Sequence, residues 1–441
     1  MVTPRFVSTR TQAAVLGARA YVYGFPIVLM ERSRALFTAS ASGAPSNTLV
    51  HLRGVPDHTF RAVVRPNQDT IYSMAFLDLR QGPLSLRLPG LVERRFVSFT
   101  LLDAWSNAFA SLRPAPSPRG PETSASAFVI VGPRSAAPAS LEHATLVRAP
   151  TDLVWVIGRV ELLSNGDLPR VHEIQSGVQL GPLGGPAHDA RFETNDGEAS
   201  HDPAAEVRTM SATAFFAELC RLLETQPPPP DDARVLTSLA RVGIAPGDFD
   251  ASALSSHVRA GLDDGVRLGR RVMAFAQGAL RARPGWGPGA RVPLGDYGTH
   301  YLVRALVAHV GFGANQREEA VYLNAARDGV GRLLDASRRD YRLRFEPGGL
   351  PAVRAFWSVS LYGPDGFFVA NPIGRHVLGS HDALPFDSDG ALEIAVQRRP
   401  PPETCNWLPA PDGPFELTLR MYLPEPPVIA GAWTPPRLLS G

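Results

Sequence analysis

Two blocks of strand-like sequence, separated by a long stretch of helical period punctuated with Pro and Gly, set the outline of this chain. In the first block, apolar and β-branched runs at residues 71–79, 83–88, 96–102, 127–131 and 154–162 are divided by Gly, Pro and Asp. That is the pattern of antiparallel strands with short connections. In the second block, runs at 355–362, 367–370, 392–397 and 415–423 are accompanied by the turn words Gly363-Pro364-Asp365-Gly366 and Asp387-Ser388-Asp389-Gly390, which are good hairpin signals. Between the blocks, Pro/Gly clusters at 181–186, 227–230 and 284–288 bracket helical segments. Ser211 is placed to cap a helix running through Leu223. From Ser252 to Arg283, Leu254, Val258, Leu262 and Val266 recur every four residues, with Gly261, Gly265 and Gly269 on the neighbouring ridge. This predicts an amphipathic helix that packs closely on another element. Residues 321–336, rich in Arg, read as helical.

The fold expected is therefore mainly β with α: two antiparallel β-sandwich or jelly-roll-like domains joined by a helical segment. The expected units are residues 1–170, an N-terminal helix plus a β-rich domain; 171–295, the helical connector; and 296–441, the second β domain. A length of 441 residues suits two or three domains.

All 44 basic residues are Arg; the chain contains no Lys. Chemistry that needs a Schiff-base Lys, a pyridoxal-phosphate Lys or a phosphate-loop Lys is thereby excluded. The Arg residues are interleaved with 42 Asp and Glu, leaving a net charge of +2 and no basic stripe for nucleic acid. Cys220 and Cys405 are too few for a disulfide framework or a thiolate metal site, so both are expected as reduced, buried thiols. The apolar run at 15–30 is broken by Arg19 and by Gly24-Phe25-Pro26 and is shorter than a bilayer span. It is read as a core helix ending near Pro26, and the expected location is cytoplasmic, with no membrane partner.

No Gly-x-Gly-x-x-Gly follows a strand, and neither a Gly-x-Ser-x-Gly elbow nor a His-Glu-x-x-His word occurs. Dinucleotide enzymes of Rossmann type, α/β serine hydrolases and zincins are accordingly disfavoured. No cofactor is expected. The eleven His form no tight ligand word, and the nine-residue spacing of His300 and His309 is half a turn off one helical face. No metal site is expected.

Several polar and aromatic words stand out: Ala20-Tyr-Val-Tyr-Gly-Phe-Pro26, Arg65-Pro-Asn-Gln-Asp-Thr-Ile-Tyr72, Leu77-Asp-Leu79, Leu102-Asp-Ala-Trp-Ser-Asn107 and the run from Ala149 to Arg159. Together they resemble the bacterial domain-of-unknown-function family 1254. Ala355-Phe-Trp-Ser-Val-Ser-Leu-Tyr362, Asn371-Pro372, Arg375, Asn406-Trp-Leu-Pro-Ala-Pro411 and Gly413-Pro-Phe-Glu-Leu-Thr-Leu-Arg420 resemble its usual partner, family 1214. The resemblance covers most of the chain in the right order. It implies a two-domain fusion with a jelly-roll-like C-terminal part, and no reaction. Many relatives carry a secretion signal, which the run at 15–30 does not match, and many show an Asp-Gly hairpin where residues 321–336 read as helix.

Asn67, Asp69 and Thr70 lie between a Pro and a strand, so a turn held by Asx side chains weighs evenly against a binding role. Asp78 and Asp103 interrupt apolar strands and need donors, and Arg159 is the natural partner; a structural Asp–Arg pair outweighs catalysis there. Asn371, Arg375, His376, Asn406 and Trp407 sit at strand ends, where sites on β scaffolds gather, although Trp407 serves equally as a packed plug. The reading that combines these residues is a small-molecule enzyme with a pocket between the two β domains. Asp69 or Asp103 is its acid–base group, and Arg159 or Arg375 anchors an anionic part of the substrate. Tyr72 or Trp407 forms an apolar wall; Asn67 and Asn406 line the cavity. The alternative is a non-catalytic small-molecule or carbohydrate-binding protein with the same pocket. A homodimer is compatible with either.

Overall fold

The computed structural model describes residues 7, 9–40, 43–61, 64–116, 122–141, 143–193, 202–402 and 406–440. Strand and helix are nearly even, 26% and 30%, so the "mainly β" expectation becomes a mixed α/β fold of several open sheets with a substantial helical layer.

The largest sheet has six strands in the order Arg191–Glu193, Val50–Leu52, Thr70–Asp78, Leu153–Glu161, Val97–Asp103 and Ala108–Leu112; only the first pair is parallel. Side chains alternate between faces with a period of two. One face, with Ile71, Ala75, Leu77, Phe99, Leu101, Val154, Val156 and Val160, shares a core with the four-stranded sheet of Gln179–Pro182, Leu84–Leu88, Ser126–Val131 and Thr145–Arg148. The opposite face divides along its length. Phe76, Leu102, Trp155 and Ile157 pack in the core of the helical layer. Thr70, Tyr72, Ser98, Thr100, Arg159 and Glu161 form a polar half that meets the C-terminal part of the chain.

That C-terminal part holds two four-stranded sheets. The first runs Ala320–Ala325, Glu416–Tyr422, Trp357–Tyr362 and Val377–Gly379; the second runs Asn406–Pro409, Leu392–Gln397, Tyr341–Phe345 and Arg437–Ser440. Val359, Leu361, Leu417, Leu419 and Met421 share a core with Leu343, Ile394, Val396 and Leu408 of the second sheet. The alternate residues Ser358, Ser360, Tyr362, Glu416, Thr418, Arg420 and Tyr422 are also buried, against the polar half of the six-stranded sheet.

Three expectations are corrected here. Residues 321–336 are not helical: they form the strand Ala320–Ala325 and a turn closed by an antiparallel bridge between Arg327 and Leu333. Asp328 accepts from the Val330 and Arg332 amides inside that turn. Residues 367–370 are not a strand. The N-terminal helix does not end near Pro26 but runs Arg10–Ala39, with Pro26 inside it. An interior Pro forfeits a backbone hydrogen bond at a cost of about 3 kcal/mol, which is offset here by near-continuous burial from Ala20 to Met30. The helix is long and apolar enough to cross a bilayer by length and composition, and 72% of its most apolar window is buried inside the protein.

Two helices match the predicted signals. Ala212–Thr225 starts at Ser211, whose Oγ accepts from the Ala214 amide, and Ser256–Arg281 packs along the N-terminal helix. At Gly265 an added Cβ would lie 2.8 Å from the Ala14 carbonyl oxygen and 2.8 Å from the Ala18 nitrogen, atoms of rigid helical backbone. Gly265→Ala would gain about 1 kcal/mol in helix propensity but must push two helices apart, which costs about 1–3 kcal/mol. The expected net result is a lower urea midpoint with an unchanged m-value; a midpoint that rises would show that the helices separate freely.

Candidate functional site

The polar half of the six-stranded sheet and the polar face of the 416–422 sheet form one buried layer. Arg159 donates from Nη1 to Asn315 Oδ1 at 2.9 Å and from Nη2 to the Gly313 carbonyl at 3.0 Å, with its guanidinium 5.6 Å from the Tyr72 ring centroid. Asn315 Nδ2 donates to the Tyr322 hydroxyl, 3.0 Å away. Asn67 Oδ1 accepts from the Asp69 amide at 2.8 Å, an Asx turn, while its Nδ2 donates across to the Tyr422 hydroxyl at 2.7 Å. Asn67 therefore both shapes its own loop and ties it to the far sheet.

Arg420 occupies the middle of the opposing face, in register with Ser358 on one side and Tyr322 on the other. It donates from Nη1 to Ser360 Oγ at 2.6 Å, and from Nη2 to the Tyr362 hydroxyl at 2.8 Å and the Arg65 carbonyl at 3.1 Å. Tyr362 in turn donates to the Pro66 carbonyl at 2.6 Å. Arg65 itself has φ +56°, unusual for a residue with a side chain. Its guanidinium reaches Thr418 Oγ1 at 2.9 Å and pairs with Glu416, which also pairs with Arg281 from the end of the long helix.

Asp69 is 8% exposed and accepts from Ser358 Oγ at 2.5 Å. Burial raises its pKa above the ordinary carboxylate range, against the pull of Arg420 and the Ser358 hydroxyl. On the adjacent strand Glu161 Oε2 accepts from the Phe96 amide at 2.6 Å and Oε1 lies 3.0 Å from His381 Nε2. Burial raises Glu161 as well, with Asp69 adding to the rise and His381 opposing it. Two desolvated carboxylates, Asp69 just before the strand Thr70–Asp78 and Glu161 at the end of its neighbour, thus share His381.

The remaining predicted residues lie elsewhere. Asp103 is held in its own turn, accepting from the Trp105 amide at 2.9 Å, the Asn107 amide at 2.8 Å and Asn107 Nδ2 at 3.0 Å; burial pushes its carboxyl up to about 6. The predicted pairing of Asp78 or Asp103 with Arg159 is not made. Register explains why: Asp78 stands opposite Leu153 and Asp103 opposite Val154, five or six positions along the strand from Arg159, or roughly 17–20 Å at 3.3 Å per residue. Asp78 instead binds Arg80, whose Nε and Nη2 donate at 2.7 and 2.8 Å.

Nor do Arg375, Asn406 and Trp407 face Asp69 across a pocket. Arg375 Nη1 donates to the Trp407 carbonyl at 3.0 Å, Asn406 Nδ2 to the Glu393 carbonyl at 2.8 Å, and Trp407 Nε1 to the Gln397 carbonyl at 2.9 Å. All three peg the edge of the second C-terminal sheet, with the 416–422 sheet between that sheet and Asp69. Asn371 holds its loop in the same way, accepting from the Arg375 amide at 3.0 Å. Arg420, Tyr422, Ser358, Tyr322, Asn315, Glu161 and His381 were missed. The signal for three of them, Ser358, Arg420 and Tyr422, was present, in the strict apolar/polar alternation of Trp-Ser-Val-Ser-Leu-Tyr and Glu-Leu-Thr-Leu-Arg-Met-Tyr within strands that are buried throughout.

Cys220 is buried, which pushes its thiol up to about 11, well away from a reactive thiolate at neutral pH; Cys405 lies outside the described residues. Among the described residues no three His, Cys, Asp or Glu side chains converge as metal ligands. EDTA is accordingly expected to leave the melting temperature within about a degree, because the described residues offer no ligand set that would couple metal binding to folding. A collapse on chelation that one added metal reverses would contradict this.

The comparisons divide the chain where the layer forms. The family Protein of unknown function (DUF1254) matches residues 46–182 and the family Protein of unknown function (DUF1214) matches 319–426; Asn67, Asp69, Tyr72, Arg159 and Glu161 come from the first match, Ser358, His381, Arg420 and Tyr422 from the second. No curated protein matches the chain. The crystal structure of VPA0106 from Vibrio parahaemolyticus is similar over 97% of this chain and 100% of that one, at 20% identity and a TM-score of 0.69, a likeness of fold. A crystal structure of a putative uncharacterized protein from Burkholderia cenocepacia aligns over 97% of this chain and 94% of its own, at 14% identity and a TM-score of 0.47. The chain therefore belongs to the proteins that join an N-terminal DUF1254 segment to a C-terminal DUF1214 segment.

Proposed function

We propose that the layer between the two family segments is the site of acid–base chemistry on a polar or anionic small molecule. The observation that carries this reading is the pair Asp69, just before the strand Thr70–Asp78, and Glu161, at the end of the neighbouring strand, both raised by burial and both beside His381. A carboxyl held above its ordinary range serves as a proton donor or acceptor closer to neutral pH. Asp69 is the acid–base group in this proposal, Arg159 and Arg420 supply the charge that draws an anion, and Tyr72 is an apolar wall. Asp103 and Arg375 have no part in it. A jelly-roll-like build of the C-terminal sheets and a cytoplasmic location belong to the same proposal, supported by the core those sheets share and by the burial of the N-terminal helix.

A thermal-shift panel of citrate, malate, glucose 6-phosphate and free sugars tests it. A compound at 100 times its dissociation constant stabilises the folded chain by about 2.7 kcal/mol. At least one anionic member is expected to do so, with the shift lost in Arg159→Gln and kept in Asp69→Asn, whose turnover of that compound, followed by proton NMR, is abolished. A panel that moves nothing in the wild type between pH 6 and 8 overturns the proposal. The second reading, a non-catalytic binding protein, is favoured by one observation: the carboxylates of Asp69 and Glu161 are themselves engaged by the Ser358 hydroxyl, the Phe96 amide and His381. A ligand that binds wild type and is recovered unchanged would select it.

A further inference from the structure

In the helical layer, away from Asp69, lies a charged group whose hydrogen-bonding capacity is unused. Arg304, on the helix Tyr301–Val310, has 0% exposure. Among the described residues none accepts from its Nε, Nη1 or Nη2. Its guanidinium carbon is 5.3 Å from the Trp105 ring centroid, 5.4 Å from that of Tyr301 and 5.5 Å from that of Tyr23. Asp232, also fully buried, accepts from the Tyr301 hydroxyl at 2.8 Å through Oδ1, while Oδ2 is 4.0 Å from Arg304 Nη2, too far for a hydrogen bond, and has no partner of its own. The Tyr23 hydroxyl has none either. Unpaired donors, an acceptor and a hydroxyl are thus collected in one aromatic box. Such groups are strongly disfavoured when left unpaired.

Tyr301 is also a wall of an open depression of about 430 Å³ lined by Ala18, Val22, Val272, Leu302 and Val303. The depression is mainly apolar, with Arg19, Thr299 and His300 also on its lining, and the box behind Tyr301 is polar. We infer that together they form a binding site for a small carboxylic acid with an apolar side chain and an α-amino or α-hydroxy group. Arg304 takes the carboxylate through two parallel N–H donors. Asp232 Oδ2 accepts from the ammonium or hydroxyl group, and the side chain lies against Val22, Val272 and Leu302. Tyr301 must turn aside to admit the head group; it is the half-buried member of the box, whereas Tyr23 and Trp105 are fully buried. The site is separate from the proposed acid–base layer and neither depends on the other.

Isothermal titration of the full chain with L-leucine, 2-hydroxy-4-methylpentanoate, 4-methylpentanoate and isoamylamine tests the assignment. The first two are expected to bind at least about tenfold more tightly than the last two, each of which leaves one buried charge unanswered. Arg304→Gln is expected to lose the three acids by at least about tenfold. Asp232→Asn weakens L-leucine and leaves 4-methylpentanoate within about twofold. Should either variant fail to give the wild-type circular dichroism spectrum, Val272→Trp, at an exposed position on the rim, blocks the depression and abolishes binding with the fold intact. Absence of binding to the wild type, equal affinity for all four compounds, or affinity that survives both Arg304→Gln and Val272→Trp overturns the inference.

Discussion

Arg420→Ala is expected to lower the stability of the chain by about 3–5 kcal/mol, the cost of removing one partner from a buried, hydrogen-bonded charge network. Arg420 is 4% exposed. Its loss leaves the Ser360 and Tyr362 hydroxyls and the Arg65 carbonyl without their donor, and leaves Asp69 without the positive charge that opposes its desolvation. Because these groups come from both family segments, the loss falls on the contact between them. Urea unfolding followed by tryptophan fluorescence is expected to show a lower first midpoint, with the two family segments unfolding more separately than in the wild type, since a chain of this size need not unfold in one step. Arg420→Lys restores little, because a point charge does not reproduce a planar fork with three acceptors. A loss below about 1 kcal/mol, typical of an exposed ion pair, would mean that the layer is wetter and looser than its hydrogen bonds imply.

Half of that layer was readable in the sequence. Asn67, Asp69, Tyr72 and Arg159 stood out because polar and aromatic types interrupt apolar strands, and a period of two puts Tyr72 and Arg159 on one face once their strands pair. Their partners were not readable for a geometric reason. Ser358, Ser360, Arg420 and Tyr422 alternate with apolar residues, which usually marks a face turned to water; here that face is turned to another sheet, and nothing local distinguishes the two. Sequence position also drew Arg375, Asn406 and Trp407 into the site, although each satisfies a backbone carbonyl at the edge of a different sheet. The registers that carry Asp78 and Asp103 away from Arg159 depend on strand order, which the alternation of side chains does not encode. The long N-terminal helix shows the opposite failure: Pro26 was given its local meaning, and burial of the flanking turns overrode it.

Asp103 provides a pH signature of its own. Its carboxyl is pushed by burial from the ordinary 3.8 up to about 6, despite the amides of Trp105 and Asn107 that favour the ionised form. Between those two pH values the folded chain binds more protons at this site than the unfolded chain does. Stability therefore falls as pH rises through that window and is flat above it. At about 1.4 kcal/mol for each pH step the contribution is about 3 kcal/mol. Asp69 and Glu161, also raised, act in the same direction, whereas carboxylates lowered by Arg partners, such as Asp78 and Asp328, add stability as pH rises. The net profile of the wild type is thus a compromise, and the difference from a variant isolates one group. Asn at position 103 keeps an oxygen for the Trp105 and Asn107 amides and has no charge to desolvate, so Asp103→Asn costs most at low pH, where wild type holds its proton, and least above pH 6. The expected measurement is a difference in unfolding free energy between wild type and variant that shrinks by about 2.4 kcal/mol from pH 4 to pH 7. Parallel curves across that range would show that Asp103 titrates alike in the folded and unfolded chain, and that water reaches the 103–107 turn.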